Sequence, residues 1–109
     1  MQSIETVLRF STNWNHKLNC DSFTTLRLDS SKYQVGSTYK VMFKGYLKDV
    51  KVLDKKTLLL ENITDWIAYL DTGYNREECI KIIKKMYSSH SIDWNTKKLQ
   101  FLLLKTITN

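Results

Sequence analysis

The sequence contains no proline and only three glycines among its 109 residues. A chain without Pro-rich or Gly/Ser-rich stretches has no linker of the usual kinds to divide it. Its length supports one modest hydrophobic core but not two. We therefore expect a single domain over residues 1–109.

Long apolar runs are also missing. No stretch approaches the roughly 18 consecutive apolar residues that a membrane-spanning helix needs. The N-terminus lacks the basic, apolar and small-residue order of a signal peptide. These absences predict a cytoplasmic protein without a membrane partner.

Cysteine is scarce, and no CxxC motif occurs. Cys20 and Cys79 lie far apart in the sequence, so we expect both to be reduced in the cytoplasm. His16 and Cys20 are four residues apart, but a metal needs more ligands and a nucleophilic thiolate needs an orienting group. The sequence therefore predicts neither a metal site nor a cofactor.

Acidic residues are outnumbered by basic ones. Seventeen Lys plus Arg against eleven Asp plus Glu give a net charge of +6 and a pI near 9.3. Excess positive charge favours a polyanionic partner, because binding releases counterions from nucleic acid. Only three of these basic residues are Arg, and many Lys-rich proteins bind no nucleic acid. Charge alone leaves that partner open.

The most informative stretch is residues 23–28, which predicts a β-strand because Phe, Thr and Leu suit a half-buried ladder. Thr25 and Arg27 fall on the same face, so a hydroxyl and a guanidinium fork lie side by side. That pair suits phosphate, carboxylate or a base edge; the alternative is that both are incidental surface residues on an edge strand. Alternation sorts the strand into a mostly apolar face that should meet the core (Thr24, Leu26, Leu28) and an opposite face (Phe23, Thr25, Arg27).

Hydrophobic periodicity predicts the remaining elements. A capped helix should start at Thr64, and a capping box should start another at Asn75. The strand near the C-terminus is apolar on both faces and should be central in its sheet. This order predicts an α+β fold built on a small, partly closed barrel. The predicted strands are 4–10, 23–28, 38–45, 47–53, 57–61 and 98–107, with a hairpin turn at 54–56. The predicted helices are 12–18, 64–70 and one that begins at 75. The second helix should bury Trp66, Ile67 and Leu70, and the third should bury Cys79, Ile82, Ile83 and Met86.

Several motifs in order resemble the ASCH domain of the PUA-like superfamily. They are KLNCDSFTTLRL, then YQVG at 33–36, then DTGYNREE at 71–78, and Tyr87. The resemblance covers roughly residues 10–105. It implies a small β-barrel of five to six mostly antiparallel strands, with helices packed beside it and a cleft between barrel and helices.

The resemblance also implies which side chains face that cleft. A hydroxyl, a guanidinium and a carboxylate would grip a nucleobase, an aromatic ring would stack on it, and lysines of neighbouring strands would hold backbone phosphate. The expected ligand-binding residues are Ser22, Thr25, Arg27, Asp71, Tyr74 and Trp66, and the expected phosphate contacts are Lys40, Lys44 and Lys48.

One branch of the ASCH family hydrolyses N4-acetylcytidine with a Thr nucleophile, a Lys three residues before it and a Glu in the loop between helices. Thr25 matches the nucleophile, but Ser22 stands at the Lys position and Asp71 at the Glu position. Ser22 cannot act as the base that a hydroxyl nucleophile requires. Lys17, the nearest upstream lysine, is not expected to reach. The departures favour a non-enzymatic protein.

Three functions therefore stay open. The first is a binding module for RNA or a modified nucleoside. The second is a Thr-dependent amidohydrolase of N4-acylated cytidine, with Thr25 and Asp71 as its catalytic residues. The third is a protein-interaction adaptor that uses the same basic surface.

Overall fold

The structure of the protein is a computed structural model that describes residues 7–108. Within that range it contains strands, two α-helices and two short 3₁₀ segments. Their bounds are β1 Val7–Arg9, a first 3₁₀ segment Trp14–Asn19, β2 Ser22–Leu28, β3 Thr38–Met42, β4 Tyr46–Leu59, a second 3₁₀ segment Leu60–Asn62, α1 Asp65–Thr72, α2 Arg76–Met86 and β5 Lys98–Thr106.

The strands form one mixed sheet that curls into a half-barrel, with the helices packed beside it. The strand order is β1-β3-β4-β5-β2. β1 pairs with β3 in parallel, and every other pairing is antiparallel. The predicted α+β half-barrel is confirmed, and so is the central position of β5, which lies between β4 and β2. The curl brings the outer strands β1 and β2 toward each other, so that the rings of Phe10 and Phe23 meet edge to face at 6.2 Å.

Both faces of β2 are covered. Phe23 belongs to the cluster inside the curl, together with Leu8 and Val41. Leu26 belongs to a second cluster between the sheet and the helices, together with Cys79. The predicted apolar face of β2 therefore does meet a core, and the Thr25 face is enclosed as well rather than exposed at a sheet edge.

The predicted hairpin turn at residues 54–56 is wrong. β4 runs unbroken from Tyr46 to Leu59 and pairs with β5 as far as the Leu59–Lys98 pair. The shift in pairing between Val52 and Asp54 is a bulge, which absorbs an irregularity without reversing the chain. The three charged residues resemble a turn in composition, but the segment contains no glycine that would allow a tight reversal.

The segment before β2 also differs from prediction. Residues 14–19 form a 3₁₀ segment interrupted by left-handed backbone at Asn15 (φ 54°) and His16 (φ 55°). Helical spacing therefore does not govern which side chains share a face. Lys17 and Leu18, which follow the interruption, are both buried. Of the predicted strand 4–10, residues 4–6 lie outside the described residues.

Helix α1 begins and ends as its local chemistry predicts, but it buries a different face. The Thr64 side chain accepts a hydrogen bond from the Ile67 backbone NH. Ala68 and Asp71 face inward, whereas Trp66 and Leu70 are 82% and 59% exposed. The prediction that Trp66 and Leu70 are buried is wrong, because Asp71 finds a charged partner in the interior.

Helix α2 follows its prediction more closely. Its cap is confirmed, since the Asn75 side chain accepts from the Glu78 backbone NH. Cys79 and Ile83 are buried as predicted, but the predicted burial of Met86 is wrong, since its side chain is 51% exposed. Among residues 7–108, no helix combines the length and apolar character that crossing a membrane requires.

We predict that Gly73→Ala destabilises the protein by about 1–3 kcal/mol. Gly73 ends α1 with φ +81°, and a Cβ there would lie 3.0 Å from the Asn15 side chain. The substitution combines backbone strain with a steric conflict, and urea denaturation would measure the free energy of unfolding.

Gly36→Ala is the matched control. Gly36 has φ +88° but nothing within 4 Å of an added Cβ, so it carries the backbone strain alone and should cost less. Equal losses for the two variants would contradict the close approach of Asn15 to the end of α1.

Candidate functional site

A cavity of about 380 Å³ opens where the outer strands of the half-barrel approach the helices. Its lining comes from β1, the first 3₁₀ segment, β2, the β3–β4 turn, the end of α1 and the second half of α2. This volume lies within the range of about 300–1,000 Å³ that is usual for small-molecule sites.

A buried ion pair lies in the cavity wall. Lys17 Nζ donates to Asp71 Oδ1 at 3.1 Å, and the two side chains are only 5% and 8% exposed. The Thr24 hydroxyl donates to the same carboxylate oxygen at 3.2 Å. These contacts join the first 3₁₀ segment, α1 and β2 at one point.

Burial disfavours both charges of this pair. Removal from water lowers the pKa of Lys17 below its usual value, and the attraction of Asp71 only partly opposes that effect. The same cause raises the pKa of Asp71, against the opposing effects of Lys17 and Thr24. The pair is thus held by geometry in an environment that would favour neutral forms of either group alone.

Thr25 and Arg27 form a second polar unit in the lining. Arg27 Nε donates to Thr25 Oγ1 at 3.0 Å, and its guanidinium carbon lies 4.5 Å from the centre of the Phe10 ring. Thr25 is 3% exposed. Burial lowers the pKa of Arg27, but an arginine starts so far above neutral pH that it stays charged. Phe10 therefore fixes the plane of a charged fork whose Nη groups have no hydrogen-bond partner in residues 7–108.

Apolar and aromatic side chains complete the lining. Trp14 lies at one side, where its ring meets Tyr74 edge to face at 6.2 Å. Such surfaces accept the faces of a planar ligand, while the polar groups in the wall fix its orientation. The other members of this set are Phe10, Leu26, Met42, Ile82, Ile83, Met86 and Tyr87.

The structure brings together the three residues on which the sequence argument depended. Thr25, Arg27 and Asp71 all line the cavity, and Lys44 lines it too. Arg27 bonds to Thr25, whereas Asp71 bonds to Lys17 and Thr24. Their roles in binding stay predictions.

Other predicted residues lie elsewhere. Trp66 borders a separate surface depression, because α1 turns Asp71 inward and Trp66 outward. Lys48 Nζ donates instead to the Cys20 carbonyl at 2.8 Å. Tyr74 is not part of the lining, but it contacts two lining residues: its ring meets Trp14, and its backbone NH donates to Thr72 Oγ1 at 3.1 Å. Ser22 and Lys40 are exposed and are also not part of the lining.

The expectation that Lys17 would not reach the site is wrong. The interrupted 3₁₀ segment turns Lys17 inward, and regular helical spacing cannot predict that direction. Thr24 was also missed, although a polar residue on an otherwise apolar strand face is a signal of a buried partner. Arg9 and Phe10 were missed because they lie at the end of a strand whose edge position only the sheet order reveals.

The site can bind, orient and exchange protons with an organic ligand. It presents a hydroxyl, an ammonium, a guanidinium and a carboxylate around a largely apolar space. Among residues 7–108, no three His, Cys, Asp or Glu side chains come together as metal ligands.

Comparison with known proteins shows the fold alone. No family model and no curated protein matches the sequence. One solved structure with a similar fold illustrates this. This is the crystal structure of protein EF3133 from Enterococcus faecalis V583, of family DUF984, with a TM-score of 0.70 and 8% sequence identity, covering 98% of this chain and 82% of that one.

We predict that Lys17→Met and Asp71→Asn each destabilise the protein by about 3–5 kcal/mol, because each leaves one buried polar partner uncompensated. The double variant should lose less than the two single losses combined, by about 0.5–3 kcal/mol. Urea denaturation of the four proteins measures this coupling energy.

The exposed pair of Lys105 and Asp21 provides the control. Its atoms are 2.6 Å apart, but the side chains are 52% and 58% exposed, so Lys105→Met should cost about 0–1 kcal/mol. Strictly additive losses at Lys17 and Asp71 would rule out the coupling.

Proposed function

We propose that this protein is a small binding module that recognises a nucleoside, free or within RNA, in the cavity between the half-barrel and the helices. The observation that carries the proposal is the convergence of Thr25, Arg27 and Asp71 on one cavity of about 380 Å³.

The composition of the cavity wall supports a nucleobase as the bound group. A base is planar and apolar on its faces, and its edges carry hydrogen-bond donors and acceptors. Trp14, Met86 and Tyr87 provide surfaces for the faces. Arg27 can donate to a base carbonyl, and Asp71 can accept from an exocyclic amine.

The charge of the chain supports an extended, anionic form of this ligand. The net charge is +6, and neutralising phosphates with Lys and Arg is a main source of affinity for RNA. The resemblance to ASCH domains and the fold shared with a DUF984 protein are consistent with a module of this kind.

We expect single-stranded RNA and free ribonucleosides to compete for the same site. RNA affinity should fall steeply with salt, whereas nucleoside affinity should change little. Arg27→Lys keeps the charge but removes the planar fork, so it should weaken binding of both ligands about tenfold. Isothermal titration at low and high salt measures these affinities.

The control is Lys56→Gln, which replaces a lysine by a neutral side chain. Lys56 is exposed on β4 and does not line the cavity, so nucleoside affinity should be unchanged. If neither structured nor single-stranded RNA, nor any common ribonucleoside, binds at low salt, the proposed function is wrong.

A second candidate is a Thr-dependent amidohydrolase, and the burial of Lys17 in the cavity wall favours it. In this reaction Thr25 Oγ1 attacks the acyl carbonyl of N4-acetylcytidine, and its proton passes to a base. The protonated base then gives that proton to N4 so that cytidine leaves, and water hydrolyses the acyl ester to release acetate and restore the Thr25 hydroxyl. Lys17 is the candidate base, because it lies in the cavity wall and its burial lowers the pKa of its ammonium.

We expect Thr25→Ala to abolish any release of cytidine from N4-acetylcytidine, as followed by chromatography. Thr38→Ala, at an exposed threonine on β3, should leave turnover unchanged. A rate that depends on neutral Lys17 should fall as the pH falls through the lowered pKa of that amine. Turnover that survives in Thr25→Ala would exclude this mechanism, and absence of turnover in the unaltered protein would leave binding as the function.

A further inference from the structure

The charges around the cavity are strongly unbalanced. Its lining within residues 7–108 contains four cationic side chains and one carboxylate, Asp71. Lys17 is already paired with that carboxylate at 3.1 Å. The other three cations, Arg9, Arg27 and Lys44, form no ion pair with any described residue.

The fold holds Arg9 and Lys44 on adjacent segments. Arg9 ends β1 and pairs in register with Met42 at the end of β3. The next residue, Phe10, donates its backbone NH to the Met42 carbonyl at 2.9 Å. Lys44 therefore lies two residues after Met42, where a hydrogen bond joins the end of β1 to the end of β3.

The turn that carries Lys44 is closed by a backbone hydrogen bond. The Phe43 NH donates to the Gly45 carbonyl at 2.8 Å, and Lys44 has the left-handed φ of 54°. The Lys44 ammonium lies 5.4 Å from the centre of the Phe43 ring. A rare backbone conformation thus places a cation beside the cavity, where no described carboxylate accepts it.

Arg27 lines the same cavity from β2. Its Nε is used by Thr25, and its plane is fixed against Phe10. The two Nη groups have no hydrogen-bond partner among residues 7–108, so they can donate to a ligand. A fork of this kind suits two oxygens of one anion.

We infer that Arg9, Lys44 and the Nη groups of Arg27 form an anion subsite for a phosphate of the bound nucleotide. The inference rests on the proposed function, and it narrows the ligand from a nucleoside to a phosphorylated one. Phosphate fits better than carboxylate, because its several oxygens and charge of about −2 can engage three cations at once.

The test compares each common ribonucleoside with its 5′-monophosphate and with a short single-stranded oligoribonucleotide, by isothermal titration at fixed salt. The monophosphate should bind at least about tenfold more tightly than the nucleoside, as one charge-assisted contact requires. If the subsite binds a terminal phosphate, the monophosphate should show the largest increase in affinity over the nucleoside. If it binds a backbone phosphodiester, the oligonucleotide should show the largest increase in affinity.

Arg9→Gln and Lys44→Gln should each remove most of the gain from phosphate while leaving nucleoside affinity in place. Both residues are exposed, so the variants should fold, and thermal unfolding checks this. Lys56→Gln makes the same change in net charge away from the cavity and should keep the full gain.

The outcomes separate this inference from the proposed function. Equal affinity for nucleoside and phosphorylated forms, or a gain that survives in both Arg9→Gln and Lys44→Gln, overturns the anion subsite and leaves nucleoside binding standing. A loss of the gain in Lys56→Gln as large as in the other two variants also overturns it, since the attraction would then be general. Failure of every ligand to bind overturns both.

Discussion

The buried ion pair between Lys17 and Asp71 is the interaction on which the architecture of the cavity depends. Its atoms are 3.1 Å apart, and Thr24 shares the carboxylate. The first 3₁₀ segment and the adjacent strand β2 meet the distant helix α1 there, so the pair fixes how α1 approaches the sheet. Two buried charges pay a desolvation cost, and only precise geometry offsets it. That cost is the reason why the pair constrains the fold more strongly than an apolar contact of the same size.

The same contacts shape the chemistry of the cavity. Lys17 neutralises Asp71, and Thr25 engages only one nitrogen of Arg27, which leaves a positive surplus facing the opening. The wall around these groups is largely apolar, and a low local dielectric strengthens any hydrogen bond that a ligand makes. A nucleoside would gain from both properties, and a phosphorylated one would also use the cations near the mouth.

Local signals predicted local structure well. The alternation of β2, the caps at Thr64 and Asn75, and the apolar faces of β5 each depend on neighbouring residues, and each is confirmed. Errors arose where a distant partner decides the outcome. Residues 54–56 resemble a turn in composition, but their pairing with β5 keeps them in a strand. Asp71 points inward because its charged partner, Lys17, is buried beside it. Thr25 and Arg27 could be placed together because they lie two residues apart on one strand. The inward position of Lys17 beside Asp71 depends on left-handed backbone at Asn15 and His16, which no periodicity reveals.

The account is tested most directly by mapping where a nucleotide binds. Backbone and arginine Nε signals of the isotope-labelled protein would be followed by NMR during titration with a ribonucleoside 5′-monophosphate. The account predicts the largest shifts at Thr25, at Arg27 Nε and around Asp71, with smaller ones at Lys44. Shifts confined to residues outside the cavity, such as those around Lys56 or the separate depression at Trp66, would contradict it.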